Sequence, residues 1–377
     1  MTPGTNPSFG ALQQVDAGVL NVGYADAGPP DGPAVVLLHG WPYDIHSFAE
    51  ATPLLAAGGY RVIVPYLRGY GTTRFLSDGT PRNGQQAVLA ADAIALMDAL
   101  GLGTAILAGF DWGARSAGVI AALWPDRCKA LVSVSGYLIG SQAAGAAPLP
   151  PQAEHAWWYQ YYFATERGRA GYSKYRREFS KFIWRLASPQ WAFDDATFNR
   201  SAAAFDNEDH VAIVIHNYRW RLALAEGEPR YDDLEARLAR SPAIAVPAIT
   251  LEGDANGAAH PDPAARSAIV RHYQPSRWRG GTPLPRTVGP GLTGPAVRRR
   301  EPLQEGGEAC LTKLRSAPSG STCPMRRSPT SGGASARHAC PPRSSLPTGR
   351  RACSWRRSRN SPATGRPSTT GASARRH

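Results

Sequence analysis

Four short apolar runs set the frame for this chain. AVVLLHG (34–40), YRVIVPYLRGYG (60–71), TAILAGF (104–110) and KALVSVSG (129–136) carry apolar stretches too short for helices and without polar alternation. Runs of this kind suit strands buried on both faces. Between them, GQQAVLAADAIALMDALG (84–101) has helical spacing and closes on Gly101, and GARSAGVIAALWP (113–125) is a helix stopped by Pro125. VLNVGYADAG (19–28) alternates ahead of a turn. Strands alternating with helices through short loops predict an α/β domain, its mostly parallel sheet covered by helices on both faces.

The pattern breaks after residue 136. HAWWYQYYFATERGRAGYSKYRREFSKFIWRL is aromatic and charged with no buried strand, and Pro148, Pro150 and Pro151 stand at its entrance. Residues 137–235 are expected to form a helical cap inserted between the first part of the core (1–136) and its second part (236–264). The sheet pattern resumes at VPAITLEGDANG (246–257), a strand ending in an acidic loop.

Charge divides the chain in the same place. The total of +13 hides 22 Lys+Arg against 3 Asp+Glu in 265–377, a net of +19, and a body of net −6. The tail is rich in Arg, Ser, Pro, Gly and Thr, with Tyr273, Trp278 and Trp355 as its aromatics. Such a segment buries too little surface to offset its ordering entropy, so 265–377 is expected to be disordered. Cys128 is the one cysteine of the body, which suits a reducing compartment, and MTPGTNPSFGALQQ has neither the basic start nor the apolar core of a secretion signal. No apolar run approaches the ~20 residues that span a bilayer. The expectation is a soluble cytoplasmic protein with no membrane partner.

The chemistry centres on GFDWGARSAG (109–118). Gly109 and Gly113 flank Asp111 between a strand and a helix, the spacing of a nucleophile elbow, with a carboxylate where a serine would be expected. Alone, G-x-D-x-G also describes an ordinary turn with a solvated aspartate. His39-Gly40-Trp41-Pro42 adds a second motif after an earlier strand, where backbone N–H groups can serve as an oxyanion hole. His39 itself is expected to brace the loop, and Trp41 N–H to act.

Together these residues resemble the α/β-hydrolase superfamily over residues 10 to about 262. The resemblance is to its aspartate-nucleophile branch, the epoxide hydrolases and haloalkane dehalogenases. Arg68-Gly69-Tyr70-Gly71-Thr72 is similar to the loop these families carry after the next strand, although Tyr66 stands where many members have an aspartate. The resemblance implies that Asp111 displaces a leaving group at an sp³ carbon and becomes an alkyl ester. Water activated by a histidine then attacks the ester carbonyl, the oxyanion being held by the N–H groups of Trp41 and Trp112. It implies Asp254 as the acid orienting the histidine, with Asp262 a weaker substitute. Tyr159, in Tyr159-Gln160-Tyr161-Tyr162-Phe163, and Tyr218, in Asn217-Tyr218-Arg219, look like the two tyrosines that protonate an opening epoxide. A small organic epoxide is the implied substrate, with an alkyl halide or haloacid as the alternative, and neither cofactor nor metal is implied. A haloacid dehalogenase would place arginine directly after the nucleophile, where this chain has Trp112 and reaches Arg115 only a turn later.

The resemblance also implies a histidine in a G-x-G-H-like turn near 280–285. That stretch reads GGTPLPRTVG, and the nearest histidines, His260 and His272, follow no credible strand. The last strand and closing helix are expected to be missing, and turnover by this chain to be impaired. An arginine-rich body suggests GC-rich coding, whose out-of-frame translation yields a tail of this composition; a frameshift near 263–266 is the expected cause. A polyanion-binding role for the tail is the alternative from another class, through RRR (298–300) and its RR pairs. Without interleaved aromatics, no specific nucleic acid is implied. Cys310, Cys323, Cys340 and Cys353 contain no C-x-x-C pair, so a zinc site is not implied.

Overall fold

The computed structural model describes residues 9–134, 137–253 and 255–257, and the backbone of one further strand at 273–278. The chain divides into two units, Met1–Gln304 and Glu305–His377, and every described residue lies in the first.

Among the described residues nine strands form one sheet: β1 (Gln13–Ala17), β2 (Leu20–Ala27), β3 (Ala34–Leu38), β4 (Arg61–Pro65), β5 (Arg74–Phe75), β6 (Ala105–Phe110), β7 (Cys128–Val134), β8 (Ala248–Gly253) and β9 (Tyr273–Trp278). They run in the order β1-β2-β4-β3-β6-β7-β8-β9, with β5 beside β2. Antiparallel pairing is confined to the partners of β2; from β4 across to β9 every pair is parallel. Buried Val35–Leu38, Val62–Val64 and Leu107 make the central strands apolar on both faces, as their uninterrupted runs predict. After β3 the chain moves to β4 on one side, then crosses back to β6 on the other. That reversal opens a crevice at the carboxyl ends of β3 and β6, where ligands of such sheets bind.

Three helices connect the strands up to β7: α1 (Ala51–Ala57), α2 (Gln86–Ala99) and α3 (Trp112–Leu123). The α3 helix is buried along nearly its whole length and packs on β6 and β7, which explains its lack of a polar face. Between β7 and β8 the described residues form helices joined by loops, with no extended strand: α4 (Gln142–Gly145), α5 (Pro151–Ala156), α6 (Tyr159–Ala164), α7 (Glu166–Ala187), α8 (Asp195–Ala202), α9 (His210–Arg221) and α10 (Asp232–Leu238). Thr165 caps α7 by accepting from Gly168 N at 2.9 Å, with Glu166 favourably placed in the first turn.

One expectation is corrected. A strand follows β8 after all: β9 pairs with it in parallel register, Thr250 opposite Pro275. YQPSRW has no apolar pattern and carries a proline, which argues against a central strand. At the sheet's edge neither is required, because a proline there need leave no ladder bond unmade. The closing helix, and the expected disorder of 265–377 beyond β9, concern residues outside those described.

Candidate active site

Leu38 lies opposite Gly109 in the sheet, so the turns leaving β3 and β6 are neighbours. The second of them holds Asp111 at φ 50°, ψ −117°, a region that non-glycine residues occupy only when their surroundings impose it. Close packing imposes it here. A Cβ on Gly113 would stand 1.9 Å from the Leu38 carbonyl oxygen, and one on Gly40 would stand 2.6 Å from Asp111 Cβ. The glycines of both motifs thus let α3 and the two turns close on one another, leaving the carboxylate at the helix start.

Trp41 N donates to Asp111 Oδ2 at 2.8 Å. The carboxyl is surrounded by protein yet open to a cavity of about 380 Å³. Burial raises its pKa above the ordinary carboxylate value. The Arg115 guanidinium, the Trp41 amide, Arg221 and the Trp112 amide oppose that rise. Both backbone donors expected for an oxyanion therefore stabilise negative charge on this side chain.

His39 is buried, and burial pushes its pKa down to about 4, so the ring is neutral. Its Nδ1 lies 3.1 Å from Gly40 O and its Nε2 accepts from Leu67 N at 3.2 Å. Both ring nitrogens are thereby committed to backbone, and the ring ties the loops after β3 and β4 together. Arg68 fixes the second loop by a bidentate contact with Asp92, Nε–Oδ2 2.5 Å and Nη2–Oδ1 2.7 Å.

The helical segment lies over these turns through Trp41. Its ring centroid is 5.2 Å from that of Tyr159 and 5.1 Å from that of Tyr218, and Tyr218 is 6.0 Å from Trp112. Tyr159 lines the cavity with Asp111 and Trp41, while Tyr218 packs behind them. Burial first and Asp111 second push the Tyr159 hydroxyl up to about 12, with a hydrogen bond to Tyr218 acting the other way. Tyr218 is raised further by its burial. Both remain O–H donors at neutral pH. The Pro42 carbonyl accepts from Trp184 Nε1 at 2.7 Å, a second tie between loop and helices.

Sequence reasoning missed a buried chain of hydrogen bonds beside the site. Trp41 Nε1 donates to Tyr172 Oη at 2.9 Å, Tyr172 Oη lies 2.9 Å from His210 Nε2, and His210 Nδ1 lies 2.9 Å from Gly69 O. Burial lowers the His210 pKa to about 3, so its ring is neutral. A neutral ring whose Nδ1–H faces a carbonyl must accept at Nε2, which fixes the direction of every bond in the chain. Neither Tyr172 nor His210 sits in a recognisable motif. The only sequence signal was an unassigned histidine opening a helix.

Asp254, Asp262, His260 and His272 lie outside the described residues. Among the described residues no histidine lines the cavity, and no His/Cys/Asp/Glu group could hold a metal ion. No helix among them is long and apolar enough to cross a membrane.

Residues 33–179 match a family model described as alpha/beta hydrolase fold. Epoxide hydrolase B of Mycobacterium tuberculosis (strain ATCC 25618 / H37Rv) is 36% identical over 155 residues, 37% of this chain and 43% of the relative. Epoxide hydrolase 3 of Siraitia grosvenorii is 40% identical over 104 residues, 28% of this chain and 32% of the relative. The chain thus spans less than half the length of these curated relatives. A crystal structure from Klebsiella pneumoniae subsp. pneumoniae MGH 78578, of a protein provisionally assigned as an epoxide hydrolase, is 62% identical. It covers 72% of this chain and 90% of the Klebsiella chain, with a TM-score of 0.71.

Proposed function

This chain belongs to the α/β-hydrolase fold family, and on that premise we propose that its cavity opens epoxides through a covalent ester on Asp111. The observation that supports this most directly is the Asp111 carboxylate held by the Trp41 amide at 2.8 Å, in a cavity that also presents the Tyr159 hydroxyl. In the proposed reaction an Asp111 oxygen bonds to an epoxide carbon as the carbon–oxygen bond of the ring breaks. The electron pair goes to the ring oxygen, and Tyr159, backed by Tyr218, supplies its proton. Water then adds to the ester carbonyl, and the proton it gives up restores the Tyr159 hydroxyl. The amides of Trp41 and Trp112 hold the oxyanion, and collapse releases a diol and restores the carboxylate. Buried, unpaired Cys128 accords with a reducing compartment such as the cytoplasm.

The test is intact-protein mass spectrometry after incubation with a reactive epoxide such as styrene oxide, with peptide mapping of the adduct. One added epoxide mass on the peptide containing Asp111, absent in Asp111→Asn, is the expected result. Modification elsewhere, or equal modification of the variant, would overturn the reading.

One observation favours a second reading, displacement of halide from an alkyl halide. Trp112 Nε1 is buried with no hydrogen-bond partner among the described residues, as a donor reserved for a departing anion would be. Stoichiometric halide release from 1-chlorohexane would separate it from epoxide opening.

A further inference from the structure

The charged residues lining the cavity are unevenly balanced: Asp111 carries the only negative charge there among the described residues, against two guanidinium groups, Arg115 and Arg221. Neither arginine forms an ion pair with a carboxylate among the described residues, although ten other arginines or lysines do. Arg115 is 8% exposed and gives Nε to the Leu138 carbonyl at 2.7 Å, which fixes its plane and leaves its Nη groups without a protein acceptor among the described residues. Arg221 ends α9, and its guanidinium lies 5.5 Å from the Tyr218 ring centroid and donates no hydrogen bond to the described residues. The other carboxylate that Arg115 influences, Glu235, is already engaged by Gln86 Nε2 at 2.9 Å and Ala87 N at 3.0 Å, and it does not line the cavity.

Burial lowers the Arg115 pKa to about 9, and repulsion from Arg221, the second cation facing the same space, adds to that fall. A fold keeps such a pair at a cost unless an anion joins it. Asp111 answers part of the charge while it is ionised, but alkylation makes it a neutral ester and removes the counterion. A second anion carried by the substrate would serve both before and after that step. Guanidinium groups are suited to the role, since their planar forks match a carboxylate.

We infer that Arg115 and Arg221 form a carboxylate subsite, so that the preferred substrates are epoxides carrying a carboxylate a few carbons from the ring. This rests on the functional reading given above. Arg115 follows Asp111 by one helical turn, a rise of about 6 Å. A link of three or four carbons between epoxide and carboxylate spans that distance and fits the cavity.

The experiment compares Asp111 alkylation by 5,6-epoxyhexanoate and by the neutral, near-isosteric 5,6-epoxyhexanamide, followed by mass spectrometry on the full chain. The wild type is expected to reach half-maximal rate at a concentration at least about tenfold lower for the acid, as loss of charge-assisted hydrogen bonds implies. In Arg221→Gln, and in the charge-preserving Arg221→Lys, the acid-to-amide ratio should fall, furthest in the glutamine variant. If the two arginines served only to keep Asp111 ionised, acid and amide would label the wild type alike. That result would overturn the subsite and leave epoxide opening intact. A preference surviving unchanged in Arg221→Gln would also overturn it. Labelling of Asp111 by neither compound would overturn the functional reading and the subsite with it.

Discussion

Gly113 and Leu38 stand so close that any side chain at 113 would enter the last carbonyl of β3, 1.9 Å from its oxygen. Backbone has no rotamer with which to yield. Gly113→Ala is therefore expected to lose about 3 kcal/mol or more in urea unfolding. Gly118→Ala, on the same helix with its nearest neighbours 4.0 Å away, should be neutral or gain about 0.5–1 kcal/mol from helix propensity. Equal effects of the two substitutions would show that the elbow is not closed as described.

In the proposed reaction the nucleophile is the Asp111 carboxylate, whose pKa burial raises and Arg115 lowers. The rate of ester formation should fall as pH drops through that raised pKa, with an inflection above the ordinary carboxylate range. Arg115→Gln removes the first of the opposing influences, so the inflection should move to higher pH. A shift to lower pH, read from alkylation rate against pH, would contradict this placement of charge.

Tyr159 and Tyr218 are proposed to protonate the ring oxygen. Tyr159→Phe is expected to slow ester formation by about 10²-fold, and Tyr218→Phe to slow it by a comparable factor if it shares the proton. Alkyl halides need no such proton, so their labelling of Asp111 should be far less sensitive. An equal loss with both substrate classes would mark the tyrosines as packing groups.

His39 and His210 are held neutral, with pKa values lowered to about 4 and about 3. Unfolded, each would take up a proton near pH 6.5, so the unfolded state binds more protons between that pH and the folded value. Stability should consequently be intact above pH 7 and be lost on acidification, by about 1.4 kcal/mol per pH unit for each histidine below pH 6. Urea unfolding at pH 7, 6 and 5 measures the slope, to which His216, also lowered by burial, contributes in the same direction, and His210→Gln should reduce it by the share of one histidine. A flat profile would mean that the rings are protonated in the fold.

No histidine occupies 280–285, and none lines the cavity among the described residues. Ester hydrolysis without a general base is expected to slow by about 10²–10⁴-fold, so one equivalent of epoxide should be consumed in a burst and the ester should persist. Repeated turnover by purified protein would refute this. Reading the DNA for residues 255–300 in all frames addresses the cause, since a frameshift requires a G-x-G-H turn in another frame.

The central strands were legible because burial on both faces leaves a continuous apolar run, and α2 and α3 because periodicity and a stop residue bracket them. Edge elements were not. QQVDA and YQPSRW owe their strands to a neighbour's unpaired backbone rather than to their own side chains, and a two-residue strand such as β5 has no periodicity to detect. At the site, residues bound by close backbone approach announced themselves as glycines at fixed spacing. Tyr172 and His210 did not, because their partners lie far off in sequence and their helices would form with other residues there. Asp254 falls outside the described residues.

The hydrogen-bonded series from Trp41 through Tyr172 and His210 to Gly69 bears on how this fold can change. A helical segment resting on the sheet by aromatic contact alone could be exchanged between relatives as a cassette. Here the donor of such a graft would have to bring a hydroxyl at 172 and a neutral imidazole at 210. The recipient would have to present an indole at 41 and a free carbonyl at 69. Four positions on four separate stretches of chain would thus have to be matched together for such an exchange to keep the series intact.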